Sequence, residues 1–298
     1  MLRLNFMSPR LRAIQRPFLV GMRLQGFSKM SGKMSDIKQL RIENSASIEI
    51  IKQAVEEAGV GNLEKAREIL SKKIQQRGGK IAEKTKDRVA KQGWISQCVS
   101  ADRKKAIMVE VNCESDFVSQ TASFQEFSRT IASCLLHHVP SNESRIFLNE
   151  STCKDMFKDK TLTFPPGSAA PDSSNGNLSD YLVKAASLTG EKVNINRVLG
   201  FNALQSNSCI GIYAHGATTS SSSTQLGRIA SMILIQKESS DCSEIADLLA
   251  KEIVAQAPDS TDEFLSLPSI SKSSKTIQGL LEGGSILDWI RWERGAFE

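Results

Sequence analysis

Apolar positions near the middle of the chain change from a two-residue period to a helical period within a few residues. Residues 107–113 are apolar at every second position, which is typical of a β-strand with one buried face. Residues 124–135 are apolar at the spacing of one helix face. Asp116 and Phe117 are therefore predicted to lie at a strand-to-helix corner, and corners on a rigid scaffold are where binding residues concentrate.

The same periodicities divide the rest of the chain. Three short helices are predicted between residues 37 and 79, with Gly59 and Gly61 ending one helix and Gly78-Gly79 stopping another. A β-hairpin is predicted over 94–112, followed by a helix that ends near residue 140. After a loop at 165–177, a helix is predicted over 179–190. Strands at 193–201, 210–214 and 229–235, a mobile loop over 216–227 and a helix over 244–256 complete the pattern.

Antiparallel strands followed by a helix occur at 94–139 and again at 193–257. This order favours the α+β class, with a core of two similar halves that each combine an antiparallel sheet and a helix. The predicted division is a leader at 1–35, a three-helix domain at 36–79, a linker at 80–92 and core halves at 93–178 and 179–274. A C-terminal helix and strand at 275–298 are expected to pack on the core. The charges of the linker also fit a plain solvated helix.

Composition describes an ordinary globular chain of 298 residues, with 40% hydrophobic and 24% charged residues. No run approaches the roughly 18 apolar residues of a membrane-spanning helix. The net charge of +5 is concentrated in residues 1–35, which hold seven Lys and Arg residues and no acidic residue. The remainder therefore carries −2, which argues against a nucleic-acid-binding body.

The acid-free, Arg-rich N-terminus favours a mitochondrial transit peptide, with import into the matrix and removal of roughly the first 20–35 residues. A secretory signal needs an unbroken apolar segment, which Arg10, Arg12 and Arg16 interrupt. A disordered basic tail is the remaining alternative.

No established catalytic or metal-binding motif is present in the sequence. The six cysteines are scattered without a C-x-x-C pair, which predicts reduced, mostly buried thiols and no zinc site. The P-loop, G-x-S-x-G and H-E-x-x-H motifs are missing, so no cofactor or metal is expected. With three histidines in the chain, a Cys113–His215 pair stays open as a candidate for a hydrolase or thiol enzyme, although a buried strand cysteine is usually inert.

The corner and several other segments resemble translation elongation factor Ts, the nucleotide-exchange factor for the GTPase elongation factor Tu. VNCESDFV at 111–118 is similar to the family signature V-N-x-[EQ]-T-D-F-V, with Ser115 in place of the usual Thr. Both residues can cap the following turn. The segments at 190–197, 213–216, 275–281 and 290–293 also resemble family motifs. The resemblance covers residues 37–298.

The N-terminal helices resemble the ubiquitin-associated (UBA-like) domain of this family through residues 54–58 and 61–66. The usual T-G-A-G-M-M ahead of them is replaced by residues 44–49, with Glu49 in place of the second Met. Residues 259–274 are too few for the helical hairpin of bacterial members, and this shortening suits mitochondrial members. An adaptor protein of the UBA type is a further alternative.

The resemblance implies an exchange factor, not an enzyme, that promotes GDP release from mitochondrial elongation factor Tu. It implies no direct binding of nucleotide, nucleic acid or membrane. The expected contacts with the GTPase are Ser115, Asp116, Phe117, Val118, Thr189, Gly190, His215, Gly216, Leu40 and Ile48. Phe117 is expected to act as a wedge near the Mg²⁺ and nucleotide site, with Asp116 beside it. In the plainer interpretation, Phe117 is a core aromatic at a helix start and His215 a hydrogen-bonded strand histidine.

Overall fold

The computed structural model describes residues 20–43, 46–158, 160–163, 175–216, 223–238, 241–272 and 274–296. The chain forms two compact units. The first comprises the chain up to Glu43 together with Ile48–Leu70, and the second comprises Asn44–Ser47 and Ser71–Glu298. None of the helices in the described segments combines the length and the apolar character needed to cross a membrane.

The first unit is helical, as the sequence predicts. Helix α1 spans Val20–Glu43, α2 spans Ile48–Ala58, and α3 begins at Leu63 and ends at Thr85. One face of α2 is buried, and the chain then turns through Gly59 and Gly61, both at φ +85°. That turn is fixed because the Gly61 N–H donates to Asp36 of α1 at 2.8 Å. Helix α1 starts 17 residues before the predicted Ile37.

The prediction that α3 stops at Gly78-Gly79 is wrong, because the helix continues to Thr85. Gly78 lies against the backbone of Val183: a Cβ at residue 78 would meet the Val183 carbonyl oxygen at 2.0 Å. The glycine therefore permits a close approach between two segments rather than ending a helix.

The predicted hairpin and corner are confirmed. Strand β1 spans Gln92–Val99, β2 spans Lys105–Cys113, and the two pair antiparallel with Gln92 opposite Cys113. A short helix α4, Asp116–Ser119, follows β2 directly, and α5 spans Ala122–Leu136. The apolar face of residues 107–113 packs on α5, as its two-residue period indicates.

Residues 224–227 form a strand, so the prediction of a mobile loop over 216–227 is wrong at those positions. The remaining elements include several that periodicity did not reveal, at residues 145–157, 162–163, 175–176, 224–227 and 261–266. They are β3 (Arg145–Asn149), α6 (Glu150–Phe157), β4 (Leu162–Thr163), β5 (Asn175–Gly176), α7 (Leu178–Thr189), β6 (Asn194–Asn202), β7 (Ser208–His215), β8 (Thr224–Gly227), β9 (Ile229–Gln236), α8 (Cys242–Gln256), α9 (Thr261–Ser266), α10 (Ile277–Leu281) and β10 (Ser285–Glu293). Residues 217–222 of the predicted mobile loop, and 164–174 of the loop at 165–177, lie outside the described residues.

The second unit contains two antiparallel sheets with helices, which confirms the α+β class. The strand orders are β3-β6-β2-β1-β8 and β10-β9-β7, and β4 pairs with β5. One apolar core lies between the five-stranded sheet and α5 and α7, a second lies between the two sheets, and a third lies under α8. Strands β6 and β8 belong to residues 179–274, the predicted second half of the core, yet they pair within the five-stranded sheet. The sequence did not predict this, because the alternation of apolar residues does not specify which sheet a strand joins.

One prediction about the cysteines is wrong. Cys209, near the start of β7, and Cys242, at the start of α8, form a disulfide with a Cα–Cα distance of 6.3 Å. Packing of α8 on the sheet brings together two residues that are 33 positions apart in sequence. The other four cysteines are buried thiols outside the disulfide, as predicted.

Candidate functional site

Phe117 is the most exposed large apolar side chain in the part of the chain that the structure describes, with 90% of its area open to solvent. It projects from α4 at the predicted corner. Phe124 and Phe127, which follow it on α5, are buried in the core. The interpretation of Phe117 as a core aromatic is therefore wrong.

Hydrogen bonds and packing on the inner side of α4 fix the backbone that carries Phe117. Ser115 caps α4, since its hydroxyl accepts a hydrogen bond from the Val118 N–H at 3.3 Å. Val118 packs partly against the core, and Ser119 is fully buried. The indole N–H of Trp94 donates to the Ser119 carbonyl at 2.6 Å. The exposed ring thus stands on a fixed support.

A reciprocal pair of carboxylates joins the corner to the segment that follows α7. Glu191 accepts hydrogen bonds from the Glu114 N–H at 3.1 Å, from the Ser115 N–H at 2.9 Å and from the Ser115 hydroxyl. Glu114 in turn accepts from the Lys192 N–H at 2.7 Å and from Arg88 at 2.9 Å. We call these contacts the corner clasp.

The clasp brings Thr189 and Gly190 beside the corner. The Thr189 hydroxyl accepts from the Glu191 N–H at 3.3 Å and so orders the turn. Gly190 is exposed, ends α7 at φ +76°, and would have open space around an added Cβ. Sequence reasoning gave Glu191 no role, although it lies in one of the family-like segments.

The contacts of Glu114 in the clasp depend on its ionised carboxylate. Burial raises the pKa of Glu114, but hydrogen bonds from the Lys192 N–H and from Arg88 outweigh burial and hold this pKa below its usual value. A group with a lowered folded-state pKa stabilises the fold at neutral pH, and this contribution is lost as the pH falls through that pKa.

A second exposed point lies at the end of β7. His215 is exposed, and its carbonyl accepts a hydrogen bond from the Arg228 N–H at 2.7 Å. Gly216 follows at φ +96° and is also exposed. The side chain of His215 is thus free to meet a partner, while its backbone is held by the neighbouring strand.

Asp116 has more than half of its side chain exposed, and one of its carboxylate oxygens is held by contacts within the fold. Its Oδ1 accepts from the Ser119 hydroxyl at 3.1 Å and lies 3.8 Å from Nη1 of Arg294. The Arg294 guanidinium also donates to the Gly93 carbonyl at 3.3 Å. The other carboxylate edge of Asp116 is open for docking.

The two expected contacts in the first unit differ in exposure. Ile48, at the start of α2, has 45% of its area exposed and can meet a partner. Leu40 on α1 is fully buried, so its side chain supports the helical unit and the expectation of a direct contact is wrong. Helical periodicity placed Leu40 on an apolar face but could not distinguish an inward face from a docking face.

The alternative of a Cys113–His215 enzyme is not supported, because its candidate nucleophile is unsuitable. Cys113 is fully buried on β2, and burial raises the pKa of its thiol to about 12. A thiol with this pKa supplies almost no thiolate at neutral pH. Among the described residues, no cluster of three His, Cys, Asp or Glu side chains could hold a metal ion.

Comparison with known proteins identifies the family. Residues 114–278 match the family model of elongation factor Ts. The chain is 50% identical over 273 residues to "Elongation factor Ts, mitochondrial" of Schizosaccharomyces pombe, with 91% of each chain covered. It is 36% identical to the protein of the same name from Schizosaccharomyces japonicus, covering 96% of this chain and 90% of that one. The human protein of that name is 27% identical, with 88% and 83% covered.

The family match spans the corner, both carboxylates of the clasp and the end of β7, and the closely similar relatives extend it to nearly the whole chain. The chain therefore belongs to the elongation factor Ts family, the nucleotide-exchange factors that act on elongation factor Tu during translation elongation.

Proposed function

We propose that this chain promotes GDP release from mitochondrial elongation factor Tu by inserting Phe117, with Asp116 beside it, near the Mg²⁺ and nucleotide site of the GTPase. The observation that carries this proposal is the exposed phenyl ring on an anchored helix turn. Because the backbone that carries the ring is already fixed, insertion costs less conformational entropy than it would from a mobile loop, so more of the binding free energy remains to distort the partner.

An exchange factor needs only a difference in affinity. GTPases of this type hold nucleotide through a P-loop, a Mg²⁺ ion and mobile switch segments. If the factor binds the nucleotide-free GTPase better than the nucleotide-bound form, it must weaken nucleotide by the same ratio. An aromatic wedge can produce that difference, because packed helices shift between discrete arrangements rather than deforming continuously.

This mechanism assigns no chemical step to the factor itself. The chain needs no nucleotide site, metal or catalytic side chain of its own, and the cellular excess of GTP over GDP sets the direction of exchange. We therefore propose a binding protein, not an enzyme, whose partner is the GTPase rather than a nucleic acid or a membrane.

The other exposed positions extend the docking surface. Thr189 and Gly190 lie beside the wedge through the corner clasp, and His215 with Gly216 forms a second contact point. Ile48 offers a separate apolar contact on the first unit. Ser115 and Val118 act indirectly, since capping and packing occupy their side chains.

We further propose that the protein works in the mitochondrial matrix after removal of a transit peptide. Residues 1–35 carry the charge pattern of such a leader, and the similar relatives are named mitochondrial. The cut should leave Asp36 in place, because this nearly buried side chain fixes the turn at Gly61. N-terminal sequencing of the protein purified from mitochondria tests this expectation.

Stopped-flow release of fluorescent GDP from purified mitochondrial elongation factor Tu tests the wedge. Phe117→Ala and Asp116→Ala should each slow stimulated release several-fold or more, while the melting temperature stays near that of the parent. Phe147→Ala is a matched control, since Phe147 on β3 is also exposed, at 56%, and belongs to none of the expected contacts. Exchange at the parental rate by both corner variants would refute the wedge.

A further inference from the structure

We propose that Arg294 is a positioning residue that holds the two exchange contact points, the Phe117 corner and the His215 end of β7, in a fixed relation to each other. This inference rests on the proposed function. It concerns a residue that makes none of the expected GTPase contacts and follows the last strand, β10.

The side chain of Arg294 contacts the corner that carries Phe117. Its Nη1 lies 3.8 Å from Oδ1 of Asp116 and donates to the Gly93 carbonyl at 3.3 Å. The Arg294 side chain is only 16% exposed, whereas that of Asp116 is 57% exposed. One guanidinium therefore links the start of α4 to the start of β1.

The backbone of Arg294 is linked by hydrogen bonds to the other contact point, the His215 end of β7. Its N–H donates to the Arg228 carbonyl at 2.9 Å, and the Arg228 N–H donates to the His215 carbonyl at 2.7 Å. Arg228 also places its guanidinium 5.8 Å from the centre of the Trp94 ring, whose N–H supports Ser119 of α4. Two parallel links thus run from the end of β7 to α4, and Arg294 is the centre of one.

Arg294 is itself held by the interior of the sheet. The next residue, Gly295, turns at φ +74° and donates its N–H to Glu110 at 2.8 Å. Glu110 is fully buried and forms an ion pair with Arg197 at 2.7 Å. The turn after β10 is therefore anchored to β2 and β6, and it transfers that rigidity to both contact points.

A fixed spacing matters because both points must meet the GTPase together. If the corner and the end of β7 moved independently, ordering them on docking would consume part of the binding free energy. Loss of the Arg294 side chain leaves all contact residues present. The remaining contacts can therefore still form the complex, but the corner must then be ordered within the complex before the wedge inserts. The maximal stimulated rate should fall more than the half-saturating concentration of factor rises.

The experiment measures stimulated GDP release as a function of factor concentration for the full chain. Arg294→Ala should lower the maximal rate by about two- to tenfold, which is the lower part of the coupling range of residues that share one network. Arg294→Lys keeps a positive charge facing Asp116 and should recover part of the loss. Arg145→Ala is the control, because Arg145 also pairs with a carboxylate, Asp288 at 2.9 Å, away from the expected contacts.

A double-mutant cycle separates positioning from simple loss of stability. In the Arg294→Ala background, Asp116→Ala should cause a smaller further loss than in the parent, because part of the Asp116 effect depends on being held. Fully additive losses would overturn the proposal, as would a parental rate in Arg294→Ala. Should the alanine variant fail to fold, a parental concentration dependence in a folded Arg294→Asn variant, which also lacks the charge, would overturn the proposal.

Failure of the proposed function gives a different pattern. If the parent protein does not accelerate release, or if Phe117→Ala and Asp116→Ala both match it, the wedge is wrong and the Arg294 inference falls with it. If Phe117→Ala slows release and Arg294→Ala does not, the proposed function stands and only the positioning role is overturned.

Discussion

The adjacent glycines in α3 give a sharp test of how that helix packs. Gly78 and Gly79 occupy the same helix interior, but an added Cβ meets very different surroundings. At Gly78 it would lie 2.0 Å from the carbonyl oxygen of Val183 on α7, whereas at Gly79 nothing lies within 4 Å. The substitutions Gly78→Ala and Gly79→Ala should therefore change stability in opposite directions.

The magnitudes follow from two contributions. Replacing glycine by alanine inside a helix stabilises it by about 1 kcal/mol at either position. Overpacking at Gly78 adds a penalty of about 1–3 kcal/mol, near the upper end because a backbone carbonyl cannot rotate away. The helix propensity cancels in the difference between the two variants, so this difference of about 1–3 kcal/mol reports the steric penalty alone.

Thermal unfolding followed by circular dichroism measures the difference. For a core of this size, each kcal/mol moves the midpoint by about 2–4 °C, so the variants should melt about 2–12 °C apart, with Gly79→Ala above the parent. Equal stabilisation by both substitutions would show that α3 and α7 do not approach closely at Gly78.

Three further results are expected. Glu110→Gln should destabilise the core by about 3–5 kcal/mol in chemical denaturation, because it leaves the buried Arg197 charge unpaired, and adding Arg197→Met should recover part of this loss. Burial raises the pKa of Glu252, but hydrogen bonds from Ser271, Ser269 and Ile270 outweigh burial and hold this pKa below 4.5. Acid should therefore destabilise the parent protein more steeply than the Glu252→Gln variant, as measured by denaturant midpoints from pH 7 to pH 3. His215→Ala should weaken complex formation in titration calorimetry and leave the melting temperature unchanged, since the exposed imidazole is not needed by the fold.

Local patterns predicted the corner because its signals lie within a few residues. The two-residue period of β2, the capping hydroxyl of Ser115 and the helical period of α5 all follow from near-neighbour geometry. The fold class followed from the order of strands and helices. These features depend on backbone geometry and burial, which a single sequence records directly.

Long-range partners were not predictable in the same way. Glu191 meets Ser115 across 76 residues, and the Arg294 side chain reaches Gly93 across 201. The pairing of β6 with β2 likewise depends on which hydrogen-bonding edge is free once the hairpin has formed. The same limit applies to the disulfide, because no spacing rule links a strand residue to the helix that later packs on it.

The corner residues fall into two groups, and the division explains why a folded scaffold alone does not account for the site. Ser115 and Ser119 have every polar contact satisfied within the fold, so their positions are explained by stability. Phe117 and His215 are held at the backbone, but their side chains contribute little to the fold. An exposed phenyl ring on an otherwise well-packed turn departs from the rule that large apolar side chains are buried, and such departures are expected at functional sites rather than in the scaffold. The exposed ring of Phe117 and the open carboxylate edge of Asp116 are not needed for folding, and they are the apolar and polar surfaces that the proposed wedge requires.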